Sequence, residues 1–224
     1  MVKGEKDSIF KGAIFDLDGT LISEREYILG CLENAGGYIE RTYGTRNAYP
    51  ELKKLLEIRW EKVFNRYFYQ EKIHYDETDI EKLLSIYRQT EPVTVLYPDV
   101  AVTLERLKKA GMKLALLTNG YCEIQKRKIE KVDLERYFDL ILIPDEYGRE
   151  FWKPAPWGYD LFLHKYDLRP EEVVVIGDMD HDFTTPAALG MNCVYIERAD
   201  RMKDLSPHIR PDRKIYSLIE IGAK

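Results

Sequence analysis

The sequence predicts an α/β protein, a parallel sheet with helices between its strands, interrupted by an inserted α-helical segment. Three observations carry this. Short apolar runs recur at 12–15, 113–117, 140–143, 173–176 and 193–196; helical patterns separate the later ones; and 22–93 shows helical periodicity without a convincing strand. Strands alternating with helices make βαβ units, whose strands run parallel. Roughly seventy residues of helix are too long for a simple connection. The expected organisation is therefore a core of 1–21 and 94–224, with 22–93 as a helical cap inserted in it and standing over the carboxyl ends of the strands.

Each element has a local reason. The first run, Gly12-Ala13-Ile14-Phe15, leads straight into Asp16-Leu17-Asp18-Gly19-Thr20. Carboxylates two residues apart point to opposite sides of a continuing strand, so the chain must bend for both to reach one substrate, and Gly19 permits the bend. In the insert, Tyr27, Leu29, Cys31, Leu32, Ala35 and Tyr38 mark one helix. Leu52, Leu55, Leu56, Ile58, Trp60, Val63, Phe64 and Tyr67 mark a second. Ile80, Leu83, Leu84, Ile86 and Tyr87 mark a third, with Asp79 as its cap. Asp99 reads as the N-cap of a helix carrying Val100, Val102, Leu104 and Leu107, which Gly111 stops. Pro154 and Pro156 introduce a helix with Tyr159, Leu161, Phe162 and Tyr166 as its apolar positions, and Pro186-Ala187-Ala188-Leu189-Gly190 reads as a short helix ending in glycine.

Open α/β sheets bind ligands at the carboxyl ends of their strands, and here those ends carry reactive residues. The second strand runs into Thr118-Asn119-Gly120, a hydroxyl and backbone N–H groups suited to phosphate oxygens. After the third comes Trp152-Lys153-Pro154-Ala155-Pro156, a cation beside a proline-defined helix start. The fourth ends in Gly177-Asp178-Met179-Asp180-His181-Asp182, read as an acidic loop. An aspartate from the first strand and one from the fourth can share a hard divalent cation. Oxygen ligands of this kind select Mg²⁺, which keeps several waters and is completed by substrate phosphate.

Composition narrows the partners. A net charge of −5 argues against a nucleic-acid-binding face, while local cations and a metal still permit an anionic substrate. The longest apolar runs, 173–176 and 114–117, are far too short to span a membrane. The stretch Met1-Val2-Lys3-Gly4-Glu5-Lys6-Asp7 has no apolar h-region, so no secretory signal is expected. Cys31, Cys122 and Cys193 are scattered, which argues against a disulfide framework or zinc site and for a reducing, cytoplasmic compartment. Charged residues make up 33% of the chain, a composition that fits heat adaptation. Nucleic acid and membrane are not expected as partners, and monomer and homodimer both stay open.

With these motifs in order, Asp16-Leu17-Asp18-Gly19-Thr20, Leu117-Thr118-Asn119, Lys153-Pro154, and Gly177-Asp178 with Asp182, the chain resembles the haloacid dehalogenase superfamily in its phosphatase branch. The resemblance spans nearly the whole chain, including a helical cap after the first motif. It implies a Rossmann-like core with helices on both faces and a phosphatase using Mg²⁺, with a small phosphorylated metabolite as the expected partner. It implies Asp16 as the nucleophile that forms an aspartyl-phosphate, and Asp18 as the acid that protonates the leaving oxygen and then activates water. Thr118 and Lys153 would hold the transferring phosphoryl group, with Leu17, Gly19 and Asn119 in the phosphate-binding set. Asp178 would bind Mg²⁺ with the Asp16 carboxylate and the Asp18 backbone carbonyl, and Asp182 would support the acidic loop.

Physical chemistry is consistent with those roles. A carboxylate attacking a phosphoryl group meets anion–anion repulsion, which a lysine and Mg²⁺ offset. Three rivals use the same fold. A dehalogenase, by the same resemblance, lacks an acid–base Asp at the position of Asp18 and needs no metal. A phosphomutase keeps both aspartates. A binding protein has no need of Asp16, Lys153 and Asp178 together. His181 is read as a solvated loop histidine, since Mg²⁺ prefers oxygen, and His74, His164 and His208 as structural. The aromatics Tyr38, Tyr43, Tyr49, Trp60, Tyr67, Phe68, Tyr69 and Tyr75 read as the core of the insert rather than a nucleobase pocket. Arg41, Arg46, Arg59 and Arg66 stand in the same segment as candidates to grip a substrate anion.

Overall fold

A computed structural model describes residues 10–59, 61–201 and 204–222. The charged stretch 1–7 and Trp60 lie outside the described residues. In chain order the elements are β1 (Gly12–Phe15), α1 (Glu24–Tyr43), α2 (Ala48–Ile58), α3 (Val63–Gln70), α4 (Glu77–Gln89), α5 (Val100–Lys109) and β2 (Lys113–Leu117). They continue with α6 (Cys122–Lys131), β3 (Leu140–Leu142), α7 (Trp157–Tyr166), β4 (Val173–Gly177), α8 (Asp180–Leu189), β5 (Asn192–Ile196) and β6 (Arg213–Ile215).

The sheet is parallel throughout, in the order β3-β2-β1-β4-β5-β6. This is the doubly wound Rossmann order, and its strand sequence reverses between β1 and β4. The ligand crevice of such a sheet opens at that reversal, so the residues that follow β1 and β4 share it. Register aligns Phe15 with Ile176, and the pairing carries one step further, Asp16 N–H donating to the Ile176 carbonyl at 2.9 Å.

Helices cover both faces, which is why the central strands read as unbroken apolar runs rather than alternating ones. On one face Ala13, Phe15, Leu114, Leu116, Val174 and Ile176 pack with Val100, Leu104 and Leu107 of α5 and Ile129 of α6. On the other, Ile14, Ala115, Leu117, Val173 and Val175 meet Tyr159 and Phe162 of α7. Of the apolar positions read for α7, Tyr159 and Phe162 are fully buried, while Leu161 is exposed.

Arg25–Val93 forms a compact unit of its own, and the flanking segments form the other. Inside the helical unit, Phe68 packs between Tyr43 and Tyr75, with both ring centroids 5.0 Å away. Gly36 of α1 is required by close approach: a Cβ there would sit 2.9 Å from the backbone nitrogen of Tyr49. Among the described residues, no helix is long and apolar enough to cross a membrane.

The structure corrects the sequence reading in several places. The apolar series 52–67 is two helices, not one. Lys62 takes a left-handed conformation between them, and Arg66 donates to the Leu55 carbonyl at 2.8 Å and also to that of Arg59, satisfying the carbonyls at the end of α2. Ile58, read as a core position, is exposed, and Tyr38 is only half-buried while Ile39 is fully buried. The cap of α4 is Asp76, whose side chain accepts from Thr78 and Asp79 N–H groups; Asp79 is the reciprocal member of that capping box. Asp99 makes no cap bond to α5: its backbone is already helical there, and its Oδ2 accepts from Arg198, Ser217 and the Leu218 N–H. Helix α8 starts at Asp180 and runs through Pro186, so half of the expected acidic loop is its first turn. Finally, β6 adds a short edge strand whose only buried residue is Ile215, too polar and brief to register as an apolar run.

Candidate active site

The site is assembled from the turns that follow β1, β2 and β4 and from the segment ahead of α7. After β1 the chain leaves the strand at Asp16 and folds back on itself. Leu21 N–H donates to the Leu17 carbonyl at 2.8 Å, and Gly19 N–H to the Ile22 carbonyl at 2.9 Å. Gly19 holds φ at +75°, and a Cβ on it would collide with the Asp178 carboxylate, so glycine is demanded twice over. Its N–H is spent inside the turn. The part of the phosphate-binding role expected of Gly19 therefore does not come from that donor in this conformation.

Lys153 is the hub. Its Nζ lies 2.6 Å from Asp16 Oδ1 and 2.7 Å from Asp182 Oδ1, and all three side chains are buried. Burial alone would lower the lysine, but the two carboxylates outweigh it and hold the ammonium above its ordinary range. Asn119 fixes the lysine backbone from both sides: its Oδ1 accepts from Lys153 N–H at 2.8 Å and its Nδ2 donates to the Lys153 carbonyl at 2.9 Å. The Asn119 amide is thus a clamp on Lys153. Expected among the phosphate contacts, it has both side-chain atoms committed here.

Asp182 turns back from the first turn of α8. Its Oδ2 accepts from the N–H groups of Asp178 and Met179 at 3.1 and 2.9 Å, tying the end of β4 to the helix start. Asp16, Asp178 and Asp182 cluster so closely that one oxygen from each lies within 4.8 Å of the others. With Asp182 occupied by Lys153 and two N–H groups, the ligating capacity of the cluster rests with Asp16 and Asp178.

Electrostatics single out the same pair. Burial pushes the Asp16 carboxyl up to about 7, with Asp182 and Asp18 adding to the rise and Lys153 opposing it. Asp178 is driven well above the usual carboxylate range, first by burial and then by Asp16, Asp182 and Glu24. Among the described residues, Asp178 Oδ1 is buried without a hydrogen-bond partner. A buried carboxylate oxygen left unpaired is costly, and a hard divalent cation would relieve it. The donor set fits Mg²⁺, which binds through one or two carboxylates and keeps room for water and phosphate.

Asp18 sits in a different environment. Its carboxylate takes Lys128 Nζ at 2.7 and 2.9 Å on its two oxygens, and Gln125 Nε2 at 2.8 Å. The same Gln125 nitrogen lies 2.6 Å from Thr118 Oγ1 and 2.9 Å from the Asn119 carbonyl. Glu24 stands close enough that Asp18, after burial, pushes its carboxyl up to about 7, with Lys128 opposing. Gln125, Lys128 and Glu24 are absent from the sequence reading. Helix α6 is dominated by charged residues, and nothing in its pattern marks an inward-facing lysine. The available signal was the spacing 125, 128, 129, which puts Gln125 and Lys128 on the face of the buried Ile129.

The remaining candidates lie outside this group. The Asp180 carboxylate accepts from Ser206 N–H at 2.9 Å and bonds to the Ser206 hydroxyl, anchoring the 206 segment to α8. His181 Nε2 lies 3.7 Å from Asp182 Oδ1 with a third of its side chain exposed. His164 bonds the Asp160 carbonyl within α7.

Comparison with known proteins places these features. A family model described as haloacid dehalogenase-like hydrolase matches residues 13–196. A phosphoglycolate phosphatase from Aquifex aeolicus is 32% identical over 182 residues, which cover 75% of this chain and 76% of the relative. The pyrophosphatase PpaX from Bacillus thuringiensis is 27% identical over 216 residues, covering 87% of this chain and 94% of that protein. Among solved structures, a HAD-superfamily hydrolase of subfamily IA from Geobacter sulfurreducens superposes with a TM-score of 0.72 at 18% identity, over 96% of each chain, a likeness of fold.

Proposed function

The chain belongs to the haloacid dehalogenase-like hydrolase family, and from that premise we propose that it is a Mg²⁺-dependent phosphatase acting on a small phosphorylated metabolite. It is a phosphoric monoester hydrolase in this reading, as its relatives named phosphoglycolate phosphatase and phosphoserine phosphatase are phosphatases. The observation that carries the proposal is the buried Asp16–Lys153–Asp182 triad with the unpaired Asp178 oxygen beside it. That arrangement presents a nucleophilic carboxylate and an ammonium at the reversal of the sheet, where a substrate enters.

Asp16 attacks the phosphoryl group and carries it as an aspartyl-phosphate while the ester oxygen departs. Asp18 gives that oxygen its proton and afterwards takes one from the water that attacks the phosphorylated Asp16. Lys153, kept cationic by its two carboxylates, attracts the transferring oxygens and lessens their repulsion from Asp16. Thr118, buried at the end of β2, offers its hydroxyl to the same group. Asp16, Asp178 and the Asp18 backbone carbonyl are the ligands proposed for Mg²⁺, which when bound supplies charge neutralisation and Lewis acidity. Asp182 orients Lys153 and holds the 178–179 backbone in place.

The test is phosphate release from a panel of sugar phosphates, nucleotides, phosphoglycolate, phosphoserine, pyrophosphate and an aryl phosphate, with Asp16→Asn alongside. Release by the wild type that vanishes on chelation and in Asp16→Asn supports the reading. Full activity in Asp16→Asn, or release indifferent to chelation, overturns it.

A further inference from the structure

We propose that Gln125 and Lys128 of α6 are positioning residues that hold the Asp18 carboxylate in register with Thr118. The proposal rests on the reading of Asp18 as the acid–base group. Both side chains are out of place for an amphipathic helix packed on a sheet: Gln125 is 1% exposed and Lys128 7%. Lysine is almost never buried unless paired, and stability alone gives no reason to bury one, since replacing a buried ion pair by well-packed apolar residues is often neutral or stabilising. A site that must fix a carboxylate gives that reason.

The geometry is convergent. Lys128 spans both oxygens of Asp18 at 2.7 and 2.9 Å, and Gln125 contacts Oδ2 alone, so the carboxylate is held from two points. Gln125 then links Asp18 to Thr118 through one nitrogen, at 2.8 and 2.6 Å. The link is built by local chain geometry. Helix α6 begins directly behind Thr118-Asn119-Gly120-Tyr121, Gln125 N–H bonds the Tyr121 carbonyl at 3.0 Å, and Lys128 follows three residues later on the same helix face. The phosphoryl-binding turn after β2 and the acid–base turn after β1 are thereby set against each other by a single helix. A carboxylate displaced by about 1 Å from its proton-transfer geometry loses much of its rate contribution.

The experiment reads leaving-group dependence, which a merely structural role would not move. An alkyl phosphate needs its leaving oxygen protonated; 2,4-dinitrophenyl phosphate does not. For Lys128→Met, kcat/KM on the alkyl phosphate is expected to fall about 10- to 100-fold more than on the dinitrophenyl ester, a part of the full worth of general acid catalysis. Lys128→Arg is expected to recover most of that ratio. Gln125→Leu, which also frees Thr118, should lower both substrates while keeping the alkyl ester the more affected. Should Lys128→Met fail to fold, Lys128→Gln, which keeps a donor without the charge, carries the same comparison and is expected to fall between wild type and methionine. Equal losses on both substrates, or none, in the folded Lys128 variant overturn the proposal. Asp18→Asn separates the two levels: if that variant itself shows no discrimination between the esters, it is the acid–base reading of Asp18 that fails.

Discussion

At the scale of single residues, the site is a problem of shared charge. Three buried carboxylates surround one ammonium, and the ammonium serves only two of them. Asp178 is the one left over, with a buried oxygen that finds no hydrogen-bond partner among the described residues. The ligand role proposed for it predicts a specific defect. Asp178→Ala should raise the Mg²⁺ concentration for half-maximal activity by ten-fold or more, about the loss expected when a ligating or supporting group is removed. A metal titration unchanged from the wild type would take Asp178 out of the metal set. Gly19 shows the same economy of space: the residue that lets the β1 turn close is also the one whose missing Cβ leaves room for the Asp178 carboxylate.

At the scale of elements, the turns after the strands are held by polar contacts between segments distant in sequence. Arg198, just beyond β5, donates to the Thr20 carbonyl through Nε and Nη2 and pairs with Asp99 at 2.8 Å through Nη1. Its guanidinium also lies 4.1 Å from the ring of Tyr97. One side chain thus ties the β1 turn, the head of α5 and the end of β5 together. Burial alone would raise Asp99, but the donors from Arg198, Ser217 and Leu218 outweigh it and hold its carboxyl below the ordinary value. Arg198→Met would leave Asp99 charged and buried, and is expected to cost about 3–5 kcal/mol, read as a lower denaturation midpoint in urea. A loss under about 1 kcal/mol would mean that the pair contributes no more than an exposed one.

At the scale of the molecule, the uneven distribution of acid sets how stability responds to pH and metal. Asp16 and Glu24 are pushed up to about 7, and Asp178 moves in the same direction. A carboxyl with a folded value above its unfolded one binds more protons in the folded state between the two values. Its stabilising contribution is full below the unfolded value and is lost as the pH rises through the folded one, here between about 4 and 7. Chelated protein is therefore expected to melt higher at pH 5 than at pH 8. Added Mg²⁺ should raise the melting temperature more at pH 8, where the carboxylates are ionised and competition with protons is weakest. An equal shift from Mg²⁺ at both pH values would separate the cluster from the metal.

How much of this was legible in the sequence follows from how local each feature is. Apolar runs ending abruptly in Asp16, Thr118 and Asp178 announce strand ends, because a strand's termination is written in its own few residues, and the alternation of runs with helical patterns is enough for βαβ units and a parallel sheet. Helix boundaries in the insert and the true cap of α4 were less legible, since Asp76 and Asp79 are chemically equal and only backbone geometry separates them. Partners were not legible at all. Asp99 meets Arg198 across 99 residues, and Asp18 meets Lys128 across 110. Periodicity tells which face of a helix turns inward; it does not tell what waits there. The sequence by itself determined which groups stand at the carboxyl edge of the sheet, and only tertiary packing decided that Asn119 would clamp Lys153 and that Gln125 and Lys128 would be buried against Asp18. Pairings of that kind arise from the docking of whole elements, where the low dielectric makes a buried polar group costly to leave unpaired.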